Sequence, residues 1–167
     1  MKQLEIRTVT VGENTFYVKP FPAFKAANIS GQLATLVTPI VGGVLPLIDS
    51  IGGEKGLMDI NMDEAAPAIS GAFSALSGDK LEHLLRELLV VNKNVSFDNP
   101  ETGKTTLLTE DTVNEIFCTD TQDMFILAFE VIKLNFNGFF KKLGDQFGSA
   151  FASLQSRMAP SMTNTAS

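Results

Sequence analysis

The spacing of apolar residues first changes at Pro20 and Pro22, and that change restricts the fold more than any other feature. Before the prolines, extended runs of alternating side chains lie on both sides of the turn formers Gly12-Glu13-Asn14. This pattern predicts a β-hairpin over residues 4–18. After the prolines, apolar residues recur every three or four positions, which indicates helices. We therefore expect a mainly α protein with a small N-terminal hairpin.

Apolar stripes at helical spacing follow one another along the rest of the chain, within residues 33–51, 62–76, 81–89 and 136–154. Pro39, Gly42-Gly43 and Pro46 interrupt the first stripe, so the helix layout between Val37 and Ile51 stays open.

Two helix starts are predicted from their capping residues. Thr109 is expected to cap a short helix, and Asp120 or Thr121 a long helix that begins near Met124. Glu82 and Arg86, one turn apart on the leucine-rich helix, are expected to pair.

A second short hairpin is predicted over residues 95–107. Val95-Ser96-Phe97 and Thr105-Thr106-Leu107 flank six turn formers, and Pro100 and Gly103 are among them. The predicted class is thus mainly α (α+β), with two small hairpins. The expected organisation is one helical domain over residues 1–158 and a flexible C-terminal tail over 159–167.

The charge of the chain argues against nucleic-acid binding, because 13 Lys+Arg against 19 Asp+Glu give a formal charge of −6. Eight acids between Asp98 and Glu130 oppose Lys104 alone, which predicts an acidic face that is usually only solvated and less often a docking surface for a basic partner. Ala26–Ile48 is uncharged and long enough to cross a bilayer, but polar residues, prolines and glycines interrupt it. We therefore expect no membrane partner, although a membrane-active protein stays an alternative that detergent-free solubility would test.

The residues available for catalysis are few: one His, His83, and one Cys, Cys118, in the whole chain. An internal disulfide is impossible, and a Cys/His metal cluster lacks ligands. Neither residue has a neighbouring base or nucleophile in the sequence. Gly103-Lys104-Thr105 imitates the end of a phosphate-binding loop, but Asp98 stands where that loop needs glycine. We predict no enzyme, no cofactor and no metal.

Phenylalanine is concentrated in the last third, where eight of the 13 Phe follow residue 116. For Phe117 to Phe136, packing in the core is the preferred interpretation. Beyond Gly138 a glycine-weakened amphipathic helix is better suited to cover the apolar helix of a partner. The predicted partner-binding residues are Phe136, Phe139, Phe140, Leu143, Phe147 and Phe151.

Two segments carry a resemblance to a known family. Tyr17-Val18-Lys19-Pro20-Phe21-Pro22-Ala23-Phe24-Lys25-Ala26-Ala27 combines a strand end, a proline and an Ala-rich helix start. Phe129-Glu130-Val131-Ile132-Lys133-Leu134-Asn135-Phe136-Asn137-Gly138-Phe139-Phe140 is a late helix that ends in Asn and a Phe-Phe pair. In both segments the chain resembles the tail assembly chaperones of long-tailed bacteriophages. The order of its predicted elements also resembles theirs as far as about Leu143.

The resemblance implies a small helical protein of the infected host's cytoplasm that is absent from the mature virion. It implies binding to the tape-measure protein and help in recruiting tail-tube protein, whereas self-association stays open. A structural tail or baseplate subunit of the virion is the alternative. Family members are also often made in a longer, frameshifted form.

Overall fold

A computed structural model describes residues 5–35, 62–136 and 138 of this protein. The chain divides into two units, Met1–Asn137 and Gly138–Ser167, and the strands and helices up to residue 136 belong to the first. The predicted tail and the stretch between Val37 and Ile51 lie outside the described residues, so those two expectations stay predictions.

The N-terminal hairpin is present. Strand β1 covers Arg7–Val11 and strand β2 covers Asn14–Val18, with Val11 paired to Asn14. The two turn residues are Gly12 and Glu13, and Gly12 has φ +58°. A positive φ at the first turn position suits glycine, because it has no Cβ to clash with the backbone.

The second predicted hairpin is also present, as β3 over Val95–Asn99 and β4 over Lys104–Leu107. Its turn begins with Asn99, whose side-chain oxygen accepts a hydrogen bond from the Glu101 N–H at 2.8 Å. Such a bond is the usual way in which asparagine stabilises a turn.

The two hairpins do not stand apart, however, and the predicted mainly α class is wrong. They join through β2 and β3 into one antiparallel sheet of order β1-β2-β3-β4, which makes the fold α+β. Phe16 lies opposite Phe97 and Val18 opposite Val95, so their inward faces form one apolar surface. An isolated two-stranded hairpin is only marginally stable. Pairing of β2 with β3 joins the two hairpins, so each of these two strands is hydrogen-bonded on both sides.

The described helices follow the predicted caps closely. Thr109 forms a capping box with Thr112, accepting a bond from its N–H at 3.3 Å. Asp120 accepts from the Asp123 N–H at 3.4 Å. The helices are α1 over residues 23–35, α2 over Met62–Ser74, α3 over Gly78–Arg86, α4 over Glu110–Phe117 and α5 over residues 121–136.

Helix α3 does not stop at Arg86 but widens into a π-helical turn, Glu87–Val91. The predicted leucine stripe is buried along both parts, at Leu84, Leu85, Leu88 and Leu89. Just after it, Lys93 has φ +51°. A non-glycine residue in that region is uncommon, and π turns often lie at functional sites.

The core lies between the helices and one face of the sheet. Phe16 of β2 stacks on Phe117 of α4, with ring centroids 5.9 Å apart, and Phe73 of α2 stacks on Phe125 of α5 at 5.4 Å. On the opposite sheet face, the Tyr17 hydroxyl donates a 2.8 Å hydrogen bond to Asp98. The sheet therefore has one apolar face and one polar face, as antiparallel sheets commonly do.

Candidate interaction surface

Of the six predicted partner-binding residues, the structure describes Phe136 alone. Phe136 is 4% exposed, and its ring centroid lies 6.3 Å from that of Phe21. This places it in the core beside the segment that follows β2. Phe139, Phe140, Leu143, Phe147 and Phe151 lie outside the described residues, and their role as a binding surface stays a prediction.

The middle of helix α5 is buried around its whole circumference, because every residue from Leu127 to Lys133 is at most 4% exposed. Phe117, Phe129 and Phe136 are all buried, which confirms the expectation of core packing for those rings. A helix covered on every side is a central element rather than a free amphipathic one. The described part of the phenylalanine-rich region thus contributes mainly to stability.

The end of α5 is fixed to the chain after β2. The Phe21 N–H donates a 2.6 Å hydrogen bond to the side-chain oxygen of Asn135. The Asn135 amide in turn donates to the Val131 carbonyl at 2.8 Å. Asn135 therefore satisfies a backbone donor beside Pro20 and Pro22, neither of which supplies an N–H of its own.

A buried charge cluster joins α5 to β1. Lys133 Nζ lies 2.7 Å from Glu130 Oε1, and the two side chains are 2% and 4% exposed. Arg7 Nη2 lies 3.7 Å from Glu130 Oε2, which is too long for a hydrogen bond but close enough for attraction. Glu130 thus does not belong to the predicted solvated acidic face. The apolar residues on both sides of Glu130 in the sequence, such as Phe129 and Val131, were the signal that could have predicted its burial.

A second ion pair joins α1 to the π turn. Lys25 Nζ lies 2.8 Å from Glu87 Oε2, and the Glu87 side chain is 14% exposed. Bonding to Lys25 lowers the pKa of Glu87, while partial burial opposes that shift. This pair fixes the first turn of α1 against the end of the leucine-rich helix.

The turn end of the sheet packs on the start of α5. A Cβ on Gly12 would lie 2.4 Å from the Asp123 carboxylate, so no other residue fits there without movement. Burial raises the pKa of Asp123, and the neighbouring Asp120 carboxylate adds to the shift. Glu13, Asp98 and Glu101 are exposed around the two turns at this end, opposed by Lys104.

The other end of the sheet has a different surface. There β1 begins, β2 ends, β3 begins and β4 ends, since Arg7 pairs with Val18 and Ser96 with Leu107. Four large hydrophobic side chains are exposed among the described residues. Ile6 at 53% precedes β1 and Leu107 at 42% ends β4, while Phe24 at 93% follows β2 by six residues and Val91 at 54% precedes β3 by four. Sequence reasoning missed this surface, because a single phenylalanine at the start of an Ala-rich helix does not show whether it is buried or exposed.

The two residues considered for catalysis lie on different parts of the fold. His83 is exposed on α3, and Cys118 is exposed after α4, with its thiol 3.6 Å from the Glu115 carbonyl. Over the described residues, no three His, Cys, Asp or Glu side chains are grouped so that they could hold a metal ion. Within the same residues, no helix is long and apolar enough to span a membrane.

The described unit is thus an α+β protein whose distinctive features are surfaces and ion pairs rather than a cluster of reactive groups. Comparison with protein families then identifies it more closely. A family model described as phage tail assembly chaperone protein, TAC, matches residues 12–151. The chain belongs to the phage tail assembly chaperone family. No curated protein and no solved structure matches the chain.

Proposed function

We propose that this protein binds the tape-measure protein, keeps it soluble and helps to recruit tail-tube subunits during tail assembly. It acts in the cytoplasm of the infected host as a non-enzymatic chaperone and does not remain in the mature virion. The observation that carries this proposal is the family match over residues 12–151, because the matched range contains the apolar stripe that follows Gly138.

The binding surface in this proposal consists of Phe139, Phe140, Leu143, Phe147 and Phe151. Phe140, Leu143, Phe147 and Phe151 are spaced three and four positions apart, which suits the apolar face of a helix that covers another helix. The net charge of −6 favours solubility, because like-charged complexes repel one another. An acidic chaperone can therefore cover apolar helices without precipitating with them.

Co-expression with the tape-measure protein tests the surface directly. Phe147→Asp and Phe151→Asp place a charge in the stripe and should each reduce the amount of tape-measure protein that co-purifies by at least about fivefold, since a charge resists burial against apolar surface. Ser149→Asp introduces the same charge away from the stripe and serves as the matched control. Equal capture by the two Phe variants and the wild type would disprove this site.

The alternative of a structural tail or baseplate subunit is separated by a second measurement. Quantitative mass spectrometry should detect the protein in lysates of infected cells and not in purified virions. A stoichiometric amount in the virions would favour the structural subunit instead.

A further inference from the structure

The end of the sheet opposite the turns carries an exposed surface that the proposed function does not use. A hydrogen bond and an ion pair bring two segments of the chain together at this end. The Lys19 N–H donates to the Asn94 carbonyl at 2.8 Å, and Lys25 pairs with Glu87 at 2.8 Å. The chain from residue 19 to 25 therefore runs alongside the chain from 94 back to 87. We name this surface, formed by Lys19, Phe24, Val91 and Lys93, the lysine-flanked end.

The apolar part of the lysine-flanked end is unusually open. Phe24 is 93% exposed in the first turn of α1, and Val91 is 54% exposed one turn beyond Glu87. A phenylalanine left in water forgoes about 2 kcal/mol of burial energy, so its exposure indicates a surface that a partner covers. Ile6 and Leu107 extend the apolar character of this end across the sheet.

The segment from residue 87 to 94 departs from regular structure in three ways, two in its backbone and one in a side chain. Glu87–Val91 is a π turn, Lys93 has φ +51°, and Asn94 is 4% exposed although neither polar atom of its side chain has a hydrogen-bond partner. Each departure costs stability, and such costs concentrate where a segment has a function beyond folding. The segment from 87 to 94 thus combines three such departures within a few residues.

The charges of the lysine-flanked end are opposite in sign to the net charge of the chain. Lys19 and Lys93 are exposed and form no ion pair within the described residues, whereas Glu5, two positions before β1, is an exposed acid near the same end. The other end of the sheet presents Glu13, Asp98 and Glu101. A partner that meets the lysine-flanked end is therefore attracted by electrostatics if it is acidic and repelled if it is basic.

The hydrogen bonding at this end decides the form of the partner. Lys19 N–H is used by Asn94, Lys93 N–H by the Val90 carbonyl, and Leu108 N–H by the Val95 carbonyl. With those donors occupied, the segments around Lys19 and Lys93 offer a partner their side chains rather than main-chain donors. A helix satisfies its own backbone and offers only side chains. We propose that the lysine-flanked end binds an acidic amphipathic helix of a partner protein, with Phe24 and Val91 as its apolar contacts.

Fluorescence anisotropy with a labelled peptide of about three heptads tests this proposal on the full chain. The peptide has Leu at the a and d positions and Glu at most others, and its counterpart replaces every Glu by Lys. The acidic peptide should bind and the basic one should not. Phe24→Ser and the double variant Lys19→Gln/Lys93→Gln should each weaken binding about tenfold or more, and the double variant should show a smaller dependence on salt.

Lys80→Gln/Lys104→Gln is the matched control, because it removes two exposed lysines away from this end. Equal weakening by the control, equal binding of the basic peptide, or unchanged binding by Phe24→Ser would overturn the proposal. Sedimentation of the free protein adds one more decisive result. If Phe24→Ser abolishes self-association while no peptide binds, the surface takes a second copy and the proposal fails. Phe147→Asp should leave peptide binding intact, so this proposal and the proposed function can fail separately.

Discussion

Two clusters of three charged residues join elements of the described unit. One has two cations and one carboxylate and the other has two carboxylates and one cation, but the difference that matters most for stability is their burial. Arg7, Glu130 and Lys133 join β1 to α5 inside the protein, where the Glu130 and Lys133 side chains are 4% and 2% exposed. Glu82, Arg86 and Glu110 join α3 to α4 at the surface, where the corresponding values range from 44% to 64%. The difference matters because water and salt screen the second cluster but not the first.

The surface cluster has the better geometry of the two. Arg86 Nε lies 2.9 Å from Glu82, and Arg86 Nη1 also bonds to Glu110. These bonds raise the pKa of Arg86 and lower that of Glu110. In the buried cluster, by contrast, one carboxylate oxygen of Glu130 is without a hydrogen bond. Good geometry at the surface therefore does not imply a large contribution to folding, whereas removing one partner of a buried pair leaves the other charge unpaired away from water.

The sharpest test of this comparison is Lys133→Met, for which we expect the largest loss. Removing one partner leaves Glu130 charged in the core, and the free energy of unfolding should fall by about 3–5 kcal/mol in a urea titration. Arg86→Met is the matched surface change and should cost much less. Equal losses would contradict the comparison. Glu130→Leu/Lys133→Met removes both charges and should recover much of the loss, since Arg7 is 30% exposed and can be solvated.

Lys25→Met tests an intermediate case, because Glu87 is only partly buried. We expect a loss of about 1–2 kcal/mol at neutral pH, from a carboxylate left without its partner. Lys25 lowers the pKa of Glu87 below its usual 4.5, so the pair stabilises the fold above that value and loses its effect as the pH falls through the native pKa. The gap between wild type and variant should therefore narrow as the pH falls below 4.5 through the lowered pKa of Glu87. A gap independent of pH would assign the loss to the packing of the Lys25 stem.

Asp123→Asn should have the smallest effect and the opposite sign. The pKa of Asp123 is raised above 3.8, so the native state binds its proton more tightly and stability falls as the pH rises through this range. Asparagine removes that penalty and should stabilise the protein by about 0.5 kcal/mol at neutral pH, with no gain at about pH 3. Thermal unfolding at the two pH values measures this. Destabilisation at neutral pH would mean that the carboxylate has a favourable contact near Gly12.

Local features were predictable from the sequence because their causes are local. The Thr109 cap, the Glu82–Arg86 pair and both hairpins depend on residues within a few positions of one another. The pairing of β2 with β3 was not predictable in this way, since Val18 and Val95 lie 77 positions apart. Without that pairing the two hairpins looked like additions to a helical protein.

The interaction surfaces were predictable only in part. The stripe from Phe139 to Phe151 is visible because its spacing is regular, whereas burial of Phe136 depends on Phe21, far away in the chain. Phe24 gave no signal, because one aromatic residue near prolines looks the same whether it packs inside or faces water. The π turn at Glu87–Val91 also has no sequence signature, as its leucines fit an ordinary α-helix.

The joining of β2 to β3 also sets an order of events during synthesis. The first hairpin can form as soon as Val18 has left the ribosome, but its partner strand emerges only with Val95. At about 5–20 residues per second, the 77 intervening positions take roughly 4–15 seconds. Throughout that interval the outer edge of β2 is an unpaired strand, and such edges are where nascent chains adhere to one another. Crowded translation of this gene therefore carries its greatest risk of aggregation before the second hairpin emerges.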